Sequence, residues 1–254
     1  MFPIMSLDAR LVVFVHGYRD DAETWRFVRA RLEGMGLATL AIKLCQAGLG
    51  QESAQILDHY AMQVLSEIGK VAPTKRFLIV GHSMGAQVAE LAASQLPPKR
   101  LAGLVLVTPA PLAGYALPEA EYARFAASAR QTNPANIEAA WRALSPNAGD
   151  AGIAELVRAT LNTSEAFALE QLRAWTGGHP AGQMSFPLNV PVLIIAAEQD
   201  FFFTKRLIRD TILPRFRNPA FEIIDESGHW AHVENPRLLA MAISRFASRL
   251  SVEF

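Results

Sequence analysis

The 254-residue sequence predicts a doubly wound α/β fold with parallel strands and right-handed crossovers. Three observations carry that expectation. Short apolar runs rich in branched residues, the signature of strands buried on both faces, recur at Leu11–Val15, 37–44, 77–80 and Leu101–Val107. Stretches with helical spacing separate them, an alternation that demands parallel pairing. At 76–96 a strand, Gly81-His82-Ser83-Met84-Gly85 and a helix follow one another with no spacer.

Taken in order, Leu11–Val15 opens the sheet and His16-Gly17-Tyr18 begins a loop. That loop ends in Asp20-Asp21-Ala22-Glu23-Thr24, rich in helix-capping types. Trp25, Val28 and Leu32 share one helical face until Gly34-Met35-Gly36 ends it. The strand at 37–44 leads through Ala47-Gly48-Leu49-Gly50 to an amphipathic helix at 53–68 carrying Ile56, Tyr60, Val64 and Ile68. Cys45, placed after an apolar run, reads as a core residue. The helix after Ser83 continues through Val88, Leu91 and Leu96 until Pro97-Pro98 stop it.

The alternation breaks at Thr108-Pro109-Ala110-Pro111. From there to about 188 the sequence reads as helices at 119–130, Pro134–Leu144, 152–161 and 165–175, punctuated by proline and glycine. Sheet character resumes at 190–196, followed by a helix at 204–213, a strand at 221–224 and a last helix opening at Asn235-Pro236. The expected organisation is one core, 1–110 and 189–254, interrupted by a helical insertion at 111–188.

Composition narrows the partners. Lys plus Arg equals Asp plus Glu at 24 each, which argues against nucleic acid or an anionic membrane surface. A hydrophobic content of 51% supports a sizeable core, and one cysteine excludes an intrachain disulfide. No run approaches a membrane span, and the first residues lack a basic signal-peptide region, so a cytoplasmic location is expected. The apolar faces of the insertion suit a monomer or a homodimer.

The turn at Ser83 has a physical logic. Reversing from strand to helix in so few residues forces the central residue into a strained backbone, and Gly81 and Gly85 remove the side chains that would collide there. Ser83 is thereby held at the mouth of the sheet, over the positive end of a helix. These residues resemble the nucleophile elbow of the α/β-hydrolase family. The resemblance extends from Leu11 to about 250 and implies an α/β-hydrolase fold: a mostly parallel sheet of about six strands, flanked by helices, with the insertion as a lid. The antiparallel strands that usually precede the first parallel strand have no room here. The family's Asp-x-x-Gly-x-Gly-x-Ser loop survives at most as a remnant at 47–53.

A serine hydroxyl needs a base, and histidine titrates in the right range. Among the six histidines, His82 belongs to the turn, and His59 and His179 read as solvated or structural. His229 and His232 lie in Ser227-Gly228-His229-Trp230-Ala231-His232-Val233-Glu234-Asn235-Pro236. The run resembles the family's Gly-His followed by Glu-x-Pro, which makes His229 the base and leaves His232 to packing or capping. Asp200, just past the strand at 190–196, stands where the family most often carries its acid, with Glu198 as the alternative; residues 108–114 offer no carboxylate. The resemblance also assigns the oxyanion-binding backbone N–H groups to Tyr18 and Met84. His16, Phe201, Phe202 and Trp230 are candidates for the substrate pocket.

Ser83 at the nucleophile position excludes the aspartate-dependent branches of the family. The resemblance implies a serine hydrolase of the carboxylesterase or lactonase kind, acting on a small, moderately hydrophobic ester. C–C bond hydrolysis, cofactor-free oxygenation and a low-turnover ligand receptor are the alternatives. No metal or organic cofactor is implied by ligand-spaced His/Cys clusters or a phosphate-binding glycine loop.

Overall fold

A computed structural model describes residues 11–48 and 52–250. The expectations that fall on the first ten residues and on 49–51 lie outside the described residues. Six strands, β1 (Leu11–Val15), β2 (Ala38–Ile42), β3 (Phe77–His82), β4 (Leu101–Val107), β5 (Val192–Ala197) and β6 (Ala220–Ile224), pair in parallel throughout, in the order β2-β1-β3-β4-β5-β6. The chain therefore winds outward from β1 to β2, then crosses back over β1 to β3. That reversal opens a crevice beyond the carboxyl ends of β1 and β3, where open α/β sheets bind ligands.

Both faces of the sheet are covered, as the unbroken apolar runs require. Val13, Val15, Ile79, Leu104 and Ile194 point into one core with α2 (Ser53–Val71) and α3 (Met84–Ser94). Val12, Phe14, Leu78, Val80, Val105 and Ile195 point into a second core with α1 (Arg26–Gly34) and α9 (Pro236–Arg249). Alternate residues of one strand thus face opposite cores, the two-residue period of extended chain. Each fully buried Val, Leu, Ile or Phe contributes about 1.5–3 kcal/mol.

Four helices lie between β4 and β5: α4 (Glu119–Ser128), α5 (Pro134–Leu144), α6 (Asp150–Leu161) and α7 (Glu165–Gly177). They begin where the sequence signals it: Asn133 accepts from the N–H groups of Ala135 and Asn136 with Pro134 behind it, and Ser164 accepts from Phe167 N–H. Glu170 ties α7 to the core, its carboxylate accepting from Tyr60 Oη at 2.7 Å and from the N–H groups of Ala47 and Gly48 at 2.7 and 2.9 Å. A third apolar cluster, Ile137, Trp141, Ile153 and Leu156 with Trp230 and Val233, joins α5 and α6 to the segment after β6. By contrast α4 buries none of its residues.

Two expectations are corrected. The helix predicted at 204–213 is irregular: one α-turn, α8 (Lys205–Leu207), passes into a π-turn at Ile208–Ile212 and a 3₁₀ turn at Leu213–Arg215. Pro214 has no N–H for the carbonyl one turn earlier, so a regular α-helix cannot continue. Cys45 is exposed rather than in the core. Extended chain continues past β2, so Ile42 and Leu44 turn inward while Lys43 and Cys45 turn out. Among the described residues no helix is long and apolar enough to cross a membrane.

Candidate active site

Ser83 follows β3 with φ 53° and ψ −120°, a left-handed conformation that costs a non-glycine residue of order 1–3 kcal/mol. The surroundings leave little choice. A Cβ on Gly81 would lie 2.2 Å from Gly85 O, and one on Gly85 would lie 2.4 Å from Val15 O and His16 O. The two glycines therefore let α3 lie directly on β1 and β3. The backbone of Ser83 is locked to its neighbours, its N–H donating to Val107 O at 3.1 Å and its carbonyl accepting from Ala86 and Ala110.

His229 Nε2 lies 2.9 Å from Ser83 Oγ, and His229 Nδ1 lies 2.8 Å from Asp200 Oδ2. The carboxylate acceptor assigns the proton to Nδ1, which leaves the Nε2 lone pair facing the Ser83 hydroxyl. An imidazole so held can take the hydroxyl proton while the carboxylate stabilises the resulting cation. Asp200 is itself oriented: its Oδ1 accepts from the N–H groups of Phe202 and Phe203 at 2.8 and 3.0 Å. The alternative acid, Glu198, is exposed and accepts from Glu226 N–H at 3.3 Å, away from His229 Nδ1, which Asp200 holds.

The loop bearing His229 is held from both sides. Glu234 accepts from Gly228 N–H at 3.0 Å and Trp230 N–H at 3.1 Å, bracketing the histidine. Burial pushes the Glu234 carboxyl above its ordinary range, with those two N–H bonds opposing the shift. The carbonyl of His229 accepts from Thr108 Oγ1 and from His82 Nε2, both at 2.9 Å. Glu234 was legible as part of the Glu-x-Pro signature, but its clamp on the loop was not. Nothing in the sequence near Thr108 signals its role.

Behind His229 lies a second histidine–carboxylate pair. His232 Nε2 is 3.1 Å from Asp20 Oδ2, and His82 Nδ1 is 3.9 Å from the same oxygen. His232 is stacked against Trp25 with ring centroids 4.8 Å apart. The donor atoms of Asp20, His82 and His232 lie within 4.8 Å of one another, the one grouping of metal-ligand type among the described residues. Its hydrogen bonds describe something simpler: His82 Nε2–H donates to His229 O and His232 Nε2–H donates to Asp20. Burial, then the neighbouring His232 and His229, holds the His82 ring well below its ordinary 6.5, so it is neutral.

Ser83 and His229 open into a cavity of about 430 Å³, within the usual range for small-molecule sites. Its walls are largely aromatic: Phe125, Trp141, Trp175, Phe202, Phe203 and Trp230. The loop after β1 runs directly over Ser83, since a Cβ on Gly17 would come within 3.2 Å of Ser83 Cβ. Tyr18, the next residue, lines the cavity, and Met84 is the first residue of α3. Burial pushes the Tyr18 phenol up to about 12, so it remains a neutral hydroxyl.

Two expected pocket residues stand elsewhere. His16 is buried but outside the cavity lining: its Nε2 accepts from Leu44 N–H at 3.1 Å and its Nδ1 lies 3.0 Å from Gly17 O. Both ring nitrogens hold backbone, fastening the β1 loop to the chain after β2. Phe201 is 56% exposed and outside the cavity, stacked on Phe202 at 4.3 Å. The Asp200 turn aims Phe202 and Phe203 inward and leaves Phe201 on the rim. Arg19, which also lines the cavity, had no sequence signal beyond its place next to Tyr18.

The sequence profile of the alpha/beta hydrolase family matches residues 12–242. Similar proteins include the probable esterase PIR7A of Oryza sativa, 33% identical over 105 residues, an alignment spanning 40% of this chain and only 40% of the rice protein. A putative esterase/lipase of Haemophilus influenzae is 21% identical over 249 residues, covering 96% of this chain and 85% of that one. Among solved structures, a thermophilic esterase from Thermogutta terrifontis superposes with a TM-score of 0.74 at 20% identity, covering 95% of this chain and 90% of that one. With the matching sheet, turn and family profile together, this chain belongs to the alpha/beta hydrolase family.

Proposed function

We propose that this protein is a serine hydrolase that cleaves a carboxylic ester or lactone of a small, moderately hydrophobic substrate. The observation that carries this reading is the continuous hydrogen-bonded chain Asp200–His229–Ser83, at 2.8 and 2.9 Å, opening into one aromatic cavity. In this reading Ser83 Oγ attacks the acyl carbon as its proton passes to His229 Nε2. The carbonyl oxygen, now an anion, is met by the N–H groups of Tyr18 and Met84. Collapse expels the alcohol, which takes the proton from His229. Water then gives a proton to His229 and attacks the acyl-serine, and release of the acid returns that proton to Ser83. The sum is ester plus water to acid plus alcohol. Phe202 and Trp230 wall the pocket, and no metal or organic cofactor enters the scheme.

The test is intact-mass measurement during turnover of p-nitrophenyl esters of graded acyl length. An acyl adduct on the wild type that is absent from Ser83→Ala supports the reading. Refusal of every ester, beside turnover of a β-diketone or an oxygen-consuming reaction that leaves no acyl adduct on Ser83, would point to C–C cleavage or cofactor-free oxygenation with His229 as base. Binding that survives Ser83→Ala, with no turnover by the wild type, would mark a receptor.

A further inference from the structure

The cavity contains one fixed charge. Arg19 lines it beside Ser83 and His229, and among the described residues no aspartate or glutamate does. The residue is only 8% exposed, and its guanidinium has no carboxylate partner among the described residues. Nη1 donates to Ser128 O at 2.7 Å and Ser128 Oγ at 3.2 Å, while Nε is buried without any acceptor. Arg215, an arginine with a buried ion pair, is matched instead to a carboxylate, 2.6 Å from Glu90. Leaving a charge buried and unpaired is strongly unfavourable, so an arginine in this state calls for a counter-anion.

Three further details agree. Burial lowers the Arg19 pKa, the mark of a cation poorly compensated by its surroundings. Its backbone is held rigidly in a left-handed conformation, φ 51°, with its N–H donating to Gln171 Oε1 at 2.9 Å. The uncharged polar lining of the cavity gathers where Arg19 reaches, at Ser128, Gln131 and Asn136, around the end of α4 and the start of α5.

We infer that the substrate of this site carries a free carboxylate, seated on the Arg19 guanidinium while the scissile acyl group lies at Ser83. The planar fork of arginine matches a carboxylate in geometry as well as charge, and the aromatic walls take the apolar remainder. This inference rests on the ester-hydrolase reading and narrows it to half-esters and other carboxylate-bearing esters.

The experiment measures kcat/KM for matched ester pairs on wild type, Arg19→Met and Arg19→Lys. One pair differs in charge on the acyl side, mono-p-nitrophenyl glutarate against its methyl-terminated analogue. The other differs on the alcohol side, 4-carboxyphenyl acetate against 4-methylphenyl acetate. The expected result is that Arg19→Met lowers the charged-to-neutral ratio of at least one pair by about 10–100-fold, mostly through KM, as for loss of a charge-assisted hydrogen bond. Arg19→Lys should restore part of it. Because Arg19 also holds α4 through Ser128, a purely structural role would depress both members of a pair alike. Ratios within about threefold of wild type in both pairs overturn the inference while leaving the hydrolase reading intact.

A second readout needs no turnover. Glutarate and benzoate are titrated into Ser83→Ala, following the fluorescence of Trp141, Trp175 and Trp230, which line the cavity. Saturable quenching that Arg19→Met abolishes supports the carboxylate site even if every ester is refused. No quenching by either anion, with unaltered ratios, removes it.

Discussion

Two histidine–carboxylate pairs sit side by side in this molecule, built from one loop. His229 and His232 are three residues apart, and their acids, Asp200 and Asp20, lie past the carboxyl ends of β5 and β1. Both pairs are buried, with nitrogen–oxygen distances of 2.8 and 3.1 Å. They differ in what the other ring nitrogen meets. For His229 it is the Ser83 hydroxyl, at the wall of a cavity. For His232 it is the interior beside Trp25 and His82, with Nδ1 lacking a hydrogen-bond partner among the described residues. An imidazole–carboxylate pair is thus not a catalytic device in itself. In the proposed reaction the first pair acts because its second nitrogen faces the hydroxyl whose proton must move, whereas the other is a buried polar strut.

The sharpest way to break this comparison is to remove the hydroxyl or the imidazole that faces it. Ser83→Ala and His229→Ala should each lower kcat on the order of 10⁶-fold, as in other units of this geometry. Circular dichroism should change little in both variants, and the melting temperature should change little in Ser83→Ala, which leaves the Asp200–His229 pair intact. An activity loss below about a hundredfold in either variant would mean the reacting groups lie elsewhere. Next in size is Asp200→Asn, expected to cost about 10⁴-fold in kcat by favouring the wrong tautomer of His229. The amide oxygen of Asn can still accept from Phe202 and Phe203, so the turn survives.

The second pair should respond in the opposite way. His232→Leu strips Asp20 of its partner in the interior and is expected to cost about 3–5 kcal/mol in denaturant unfolding. Its kcat should stay within about tenfold of wild type, because His82 and Thr108 still hold the His229 carbonyl. A variant of normal stability with a 10⁴-fold loss in kcat would erase the distinction between the pairs.

The smallest expected effect is a pH dependence. His16 and His82 are both held neutral by burial, their pKa values below the ordinary 6.5. Above that value neither state takes up a proton at these rings and the stability is complete. As pH falls below it, the unfolded chain binds protons that the folded chain refuses, and stability drains at up to about 1.4 kcal/mol per pH unit per ring. The buried carboxyls of Glu90 and Glu234, raised above 4.5, act in the other direction. The measurement is therefore a difference: urea unfolding of wild type and His16→Gln at pH 7.5 and 5.5. The variant should lose less on acidification, and equal slopes would show that His16 takes a proton without unfolding.

Much of the fold was legible because its signals are local. Unbroken apolar runs declared buried parallel strands, and Asn133-Pro134 and Asn235-Pro236 marked helix starts through a cap and a fixed φ. The helix after Thr204 was less regular than its spacing suggested, because Pro214 acts on the turn before it. Cys45 escaped because a run of apolar residues conceals which member points outward. At the site, Gly81 and Gly85 announced a tight turn, but the pocket was harder to read. His16 looked available to a ligand, yet both its nitrogens hold backbone. Phe201, Phe202 and Phe203 are chemically alike, and only the turn closed by Asp200 sorts them into rim and wall.

By itself the sequence determined the parallel sheet, the helical stretch between β4 and β5, and the strained turn at Ser83. Each follows from residues within a few positions of one another, through steric exclusion, capping and the period of apolar side chains. The family resemblance named His229 and Asp200, but only the tertiary structure brings them within 2.9 and 2.8 Å of their partners and sends Arg19 into the cavity without a counter-ion among the described residues. Those outcomes depend on where distant segments converge above the sheet, as when Arg19 meets Ser128 across 109 positions. No local propensity encodes such a meeting, because it is set by how the helices and loops pack over two cores.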